Sequence, residues 1–253
     1  MAAKHTASFT SFFVRCDELY KNLQLVDVAL CNATRMLAKA KRDNAGTPIF
    51  EALGCNPDVY PKLCQPVENY SEWVGLARSK QSEYAICQLY SYFTHYLRDV
   101  LKEMYPLQSY LVSQLNGEHI SKQHLSYKEI IDLNNYESIA NEIVNRVFRA
   151  MENKRDTKSL IDKIQESFNL SVDDDTKDKA LCYLELRHLL IHNKGFADEK
   201  YIQAFSRYYT SSLEVNKRIH TTFLVYKSAQ FAIHKLCATI DTQLFQIIKN
   251  SLP

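Results

Sequence analysis

Glycine and proline are both scarce in this chain, at five and six of 253 residues. Neither is well tolerated inside an α-helix, so their scarcity leaves room for long uninterrupted helices. Four of the six prolines crowd into residues 46–69, GTPIFEALGCNPDVYPKLCQPVEN, which reads as a connector with a helical turn or two and a domain boundary. An excess of charge of one sign is also missing. A formal net charge of +2 excludes a polybasic arm while leaving room for a local basic groove. No apolar run approaches the ~20 residues of a membrane span. The opening MAAKHTASFTSFFVRCDELY holds a short apolar patch soon interrupted by charge, so no signal peptide is expected. The seven cysteines form an odd set without C-x-x-C spacing. They read as reduced, core-filling thiols in a soluble chain of a reducing cytoplasm. Also absent are G-x-G-x-x-G, a P-loop, G-x-S-x-G and H-E-x-x-H, which removes the common nucleotide, hydrolase and zincin chemistries.

What is present is helical periodicity. Residues 8–42 place Phe9, Phe12, Phe13, Leu19, Leu23, Val26, Leu30, Met36 and Leu37 at helical spacing, and Asn44 and Gly46 supply the stop. From Ser71 a stripe of Trp73, Leu76, Tyr84, Cys87, Leu89, Tyr92, Tyr96 and Val100 predicts one long helix with a packed aromatic seam, ended by Pro106. A turn is expected at Asn116-Gly117, then helices over about 136–154, 159–168 and the stretch ending at His192. A short helix follows within 195–209, and a long final one within 212–252. Without hairpin signals or repeats, the expected class is all-α. The expected organisation is an N-terminal helix and connector over 1–65 and a helical domain over 66–253, or both packed together.

Most polar clusters have a plain structural reading. Asp173, Asp174 and Asp175 suit the start of a helix, where carboxylates meet the positive end of its dipole, better than a divalent cation. His119 and His124 lack a companion cysteine for zinc. His220 and His234, fourteen apart, read as helix-packing residues on nearly one face. No metal or cofactor is expected.

The stretch RHLLIHNKG, residues 187–195, is different. His188 and His192 stand at i, i+4 and are neighbours on a helix, whereas Arg187 and His192 are about 140° apart. A helix ending near His192 would leave Asn193 to Gly195 as its exit, with Gly195 in the left-handed position. The competing reading has Leu186, Leu189, Leu190 and Ile191 filling a core while the polar residues decorate the helix end. Spacing alone does not choose.

An arginine, a polar residue, three variable positions and a histidine, on an acid-capped helix of an all-α chain, resembles the signature of the HEPN superfamily. Arg187, His188 and His192 match it in order, and Asn193 matches the polar residue that often follows. The closest resemblance covers residues 156–205. It implies a helical bundle that dimerises so that two copies of the motif face each other. It also implies metal-independent endoribonuclease activity of the kind found in toxin–antitoxin, CRISPR-associated and anti-phage systems, with an antitoxin or defence-system protein as a partner. One departure matters: Lys194 stands where members silenced by nucleotide transfer carry tyrosine, which puts that regulation in doubt.

The chemistry is coherent without the family. RNA carries its own nucleophile, the ribose 2′-hydroxyl, beside the scissile phosphate. Histidine suits proton transfer near neutral pH, and the guanidinium fork suits charge building on phosphorane oxygens. His192 is therefore expected as general acid/base and Arg187 as phosphate stabiliser. His188 and Asn193 are assigned to orientation, and Lys194, Lys200 and Arg207 to RNA phosphate contacts. One such histidine cannot serve both sides of a phosphate, which calls for a homodimer with a composite site. The alternatives are a non-catalytic dimerisation or adaptor module and a nucleotide sensor.

Overall fold

The computed structural model describes residues 4–115, 125–152, 157–209 and 211–251. The Asn116-Gly117 turn and the pair His119 and His124 lie outside them. Among the described residues the chain is all-α. Its helices are α1 (Ala7–Asp43), α2 (Ile49–Ala52), α3 (Tyr70–Gln114), α4 (Tyr127–Leu133), α5 (Tyr136–Glu152), α6 (Thr157–Phe168), α7 (Asp174–His192), α8 (Glu199–Phe205) and α9 (Phe223–Ser251). The only β-type pairings among these residues are two isolated bridges. None of the helices is long and apolar enough to cross a membrane.

The chain divides into two compact units, each assembled from separated segments. The first comprises the described residues of Met1–Cys16, Ile86–Ile219 and Ser228–Pro253. Here α6 and α8 both pack on α7, α5 packs on α6, and α4 on α5. The sequence dictates this through stripes. Val144, Val147 and Phe148 of α5 are buried at i, i+3, i+4, and Leu160, Ile161, Ile164 and Phe168 line one side of α6. Each such side chain removed from water contributes about 1.5–3 kcal/mol. The phenol of Tyr96 donates to the Cys237 carbonyl at 3.3 Å, joining α3 to α9.

Thr6 caps α1 by accepting from the Phe9 amide at 3.0 Å. The fully buried Asp241 accepts from the Thr6 amide at 3.2 Å, from His5 Nδ1 at 3.0 Å and from the Thr6 hydroxyl. Those donors compensate a buried carboxylate whose isolation costs several kcal/mol. His234 is half-buried between Phe9 and Phe13, with ring centroids 5.5 and 5.4 Å away, and its burial lowers its pKa. It is a packing residue, as expected.

The second unit comprises Asp17–Ala85 and His220–Lys227. Its proline-rich stretch folds back on itself: the Ile49 amide donates to the Gln65 carbonyl and the Val67 amide to the Thr47 carbonyl, both at 2.9 Å. Leu37, Ile49 and Val67 form a small core there. The helical turns expected in this stretch are α2 and two 3-10 turns, Pro61–Leu63 and Val67–Asn69.

All seven cysteines are free. Burial pushes the Cys16 and Cys182 thiols up to about 12 and that of Cys237 upward as well. These three fill core positions, whereas Cys64 is exposed.

Two expectations are corrected and one is met. The aromatic seam of α3 is buried at Leu89, Tyr96 and Val100, but Trp73, Leu76 and Tyr84 are 47%, 45% and 60% exposed. The helix that carries this seam stops close to Pro106, as expected: the backbone leaves the helical region at Gln108 (φ −138°, ψ 44°), and a second helical stretch follows within the range given for α3. The final helix begins only at Phe223, so His220 precedes it and shares no helix face with His234.

Candidate functional site

Helix α7 is the central element of the first unit. The Asp173 side chain accepts from the Thr176 amide at 2.8 Å, and that bond holds its carboxyl below the ordinary range. Asp174 and Asp175 occupy the first turn, where Asp175 pairs with Lys179 at 2.6 Å. Lys177 bridges Asp162 of α6 at 2.9 Å and Asp174 at 3.4 Å. The acidic run is thus consumed in capping and pairing. Among the described residues no group of three or more metal-ligating side chains converges.

The middle of α7 is buried on every side, from Ala180 through Leu184 without interruption. Such a helix belongs inside a core, not on a surface. Its last turn emerges. Leu186 and Leu189 remain buried and Leu190 half so, but Ile191 is 49% exposed and does not fill the core. His188, His192, Asn193 and Lys194 are exposed.

The exit is built by backbone. The Leu189 carbonyl accepts from the Asn193 amide at 3.0 Å and the Gly195 amide at 2.9 Å. Lys194 (φ 53°) and Gly195 (φ 80°) are both left-handed, so the expected glycine is preceded by an unexpected lysine in the same region. The Asn193 side-chain amide donates to the Phe196 carbonyl at 2.7 Å, which spends it on the turn beneath His192. Residues 195–197 are pinned by 216–219: Ile219 donates to Gly195, Asn216 to Ala197, and Ala197 to Lys217, at 2.8–3.0 Å. A Cβ on Gly195 would meet nothing closer than 3.6 Å, so the constraint is its positive φ. Gly195→Ala is expected to lower the unfolding free energy by about 1–2 kcal/mol in urea titration.

The structure brings His188 and His192 together, their ring centroids 4.8 Å apart. Arg187 goes elsewhere. Its guanidinium lies 4.9 Å from the Tyr90 ring centroid on α3, and among the described residues no carboxylate pairs with it. Such stacking holds a planar cation in place without neutralising it.

Beside His188 lies a groove of about 670 Å³ between α7, α8 and the start of α6. Asp178, Glu185 and Asp198 line it together with Lys158, Lys200 and several apolar side chains. It is a mixed-charge groove, not a basic channel. Lys200 lines it, but Arg207 is 3.3 Å from Asp178 and stacks on Tyr208, so its charge is already answered. Lys194 stands exposed at the corner of the exit turn.

Sequence reasoning missed Tyr90 and Arg218. Tyr90 was hidden among the aromatics of α3. Arg218 passes over Gly195, its Nε 3.6 Å from where a Cβ would stand, because residues 212–222 are not helical. In the second unit, a groove of about 390 Å³ includes Arg78 and His220, but Arg78 Nε is 3.1 Å from Asp27. The chain matches no protein-family model, no curated protein and no solved structure.

Proposed function

We propose that this chain is a metal-independent endoribonuclease of HEPN type, acting as a toxin or anti-phage effector restrained by an antitoxin or defence-system partner. The observation that carries the reading is the emergence, from a helix buried through its middle, of two touching exposed imidazoles whose neighbour in sequence is an arginine without a carboxylate partner. Proton-transfer groups in contact with solvent, and on the same turn of helix a cation whose charge no carboxylate answers, suit phosphodiester cleavage by an internal nucleophile.

In this reading an imidazole takes the proton of the ribose 2′-hydroxyl. The 2′-oxygen forms a bond to phosphorus, the bond from phosphorus to the 5′-oxygen breaks, and a second imidazole delivers a proton to that oxygen. The products are a 2′,3′-cyclic phosphate and a 5′-hydroxyl. His192 is the general acid/base, His188 orients it, and Arg187 stabilises the phosphorane. Attacking and leaving oxygens lie roughly in line through phosphorus. Two rings in contact on one helix face do not bracket that line, so the second proton-transfer group comes from another copy of the chain. Asn193 acts through the exit turn, and Lys194 and Lys200 supply the local positive charge. With so few cations near the pair, binding rests on a few phosphates, and its salt dependence is correspondingly shallow.

The test is incubation of the untagged chain with total RNA in excess EDTA. Fragments ending in 2′,3′-cyclic phosphate are expected. Intact RNA with a tight dimer would replace this reading by a dimerisation or adaptor module, and saturable nucleotide binding without cleavage by a sensor.

A further inference from the structure

We propose that His188 and His192 form a transition-metal site, one that takes Ni²⁺, Cu²⁺ or Zn²⁺ on two imidazoles with its remaining positions open to water. Histidines at i, i+4 project to one side of a helix and are a recurrent bidentate donor set for such ions. The fit here goes beyond spacing. Two adjacent imidazoles on one ion, each nitrogen about 2.0–2.1 Å from it, have ring centroids roughly 4.5 Å apart at the right angle of a tetragonal Ni²⁺ or Cu²⁺ site and roughly 5 Å apart on tetrahedral Zn²⁺. The centroids of His188 and His192 are 4.8 Å apart before any ion is bound. Both side chains are exposed, and His192 occupies the last turn of α7. The negative end of the helix dipole therefore favours a cation there. Neither ring has another hydrogen-bond or ion-pair partner among the described residues, so no existing contact must be broken.

The donor set defines the ion. Imidazole nitrogens select Cu²⁺, Ni²⁺ and Zn²⁺ in the order of their general affinities, and oxygen-seeking Mg²⁺ and Ca²⁺ are refused. Two protein donors and open water positions give reversible, micromolar binding, not a structural centre. Affinity falls on acidification, because both rings must be neutral to coordinate. Glu185, one turn earlier on the helix and lining the adjacent groove, is the side chain nearest in register to supply an outer contact.

The consequence for activity rests on the ribonuclease reading; the binding does not. A coordinated ion occupies the nitrogen lone pairs that proton transfer needs, so the ion is an inhibitor and not a cofactor.

Isothermal titration of the untagged Cys64→Ser chain tests the site, that substitution removing the exposed thiol that would compete for the ion. Ni²⁺ is expected to bind with no more than one ion per chain and Mg²⁺ to give no heat. His188→Ala and His192→Ala are each expected to weaken Ni²⁺ at least tenfold and His220→Ala to leave it unchanged. Alanine suits exposed helix positions, and circular dichroism confirms that each variant is folded. No Ni²⁺ heat, equal heat from Mg²⁺, or undiminished binding in both histidine variants overturns the proposal. Cleavage assays on the same samples separate the two ideas. Binding by a chain that leaves RNA intact keeps the metal site and removes the nuclease, and cleavage by a chain that binds no Ni²⁺ does the reverse.

Discussion

His192→Ala is expected to slow RNA cleavage by about 10²–10⁴-fold, the usual loss when a positioned proton-transfer group is removed. The melting temperature is expected to stay within about a degree or two of the parent chain. His192 is exposed and its one ring contact is His188, so the substitution breaks no core packing, and surface changes of this kind stay within about 0.5 kcal/mol. Arg187→Ala is expected to cost about 10²–10³-fold in rate, as for loss of a transition-state donor. It also removes the stack on Tyr90, worth about 0.5–1 kcal/mol. Arg187→Lys keeps a charge but loses the planar fork, so it rescues little of the rate. A merely structural helix end would show no rate effect in any of these variants.

Leu186→Ala gives the opposite signature from the adjacent position. Its side chain is 0% exposed inside the first unit. Truncation is expected to destabilise by about 2–5 kcal/mol through lost burial and the cavity left behind. For a chain of this length that corresponds to a fall in melting temperature of roughly 4–20 °C. Cleavage per folded molecule at low temperature is expected to remain close to that of the parent. One helix is thus expected to separate packing from chemistry, with calorimetry reading position 186 and product formation positions 187 and 192.

Much of the helical fold was legible in the sequence because the relevant signals are local. The spacing of Phe9 to Leu37 marks a helix over residues 8–42, and α1 covers Ala7–Asp43. Asp173 and Gly195 act as the cap and the left-handed exit that their side chains suggest. Signals that depend on tertiary contact were not legible. Nothing local says that a second helical stretch follows the break at Gln108, or that residues 216–219 pair with the α7 exit instead of joining the final helix. The short α4 went unread although its Ser126 and Glu129 form a reciprocal cap. At the site, helical spacing placed His188 beside His192. It could not place Arg187, whose position depends on Tyr90, a residue 97 positions earlier in the chain.

The most direct measurement of the central claim uses two substrates in excess EDTA: a short RNA cleaved by the chain, and the same strand with a single 2′-deoxynucleotide at the scissile position. The expected result is cleavage of the first, with a 2′,3′-cyclic phosphate on the product, and none at that position in the second. Equal cleavage of both strands, or cleavage of the RNA that is unchanged in His192→Ala, would contradict it.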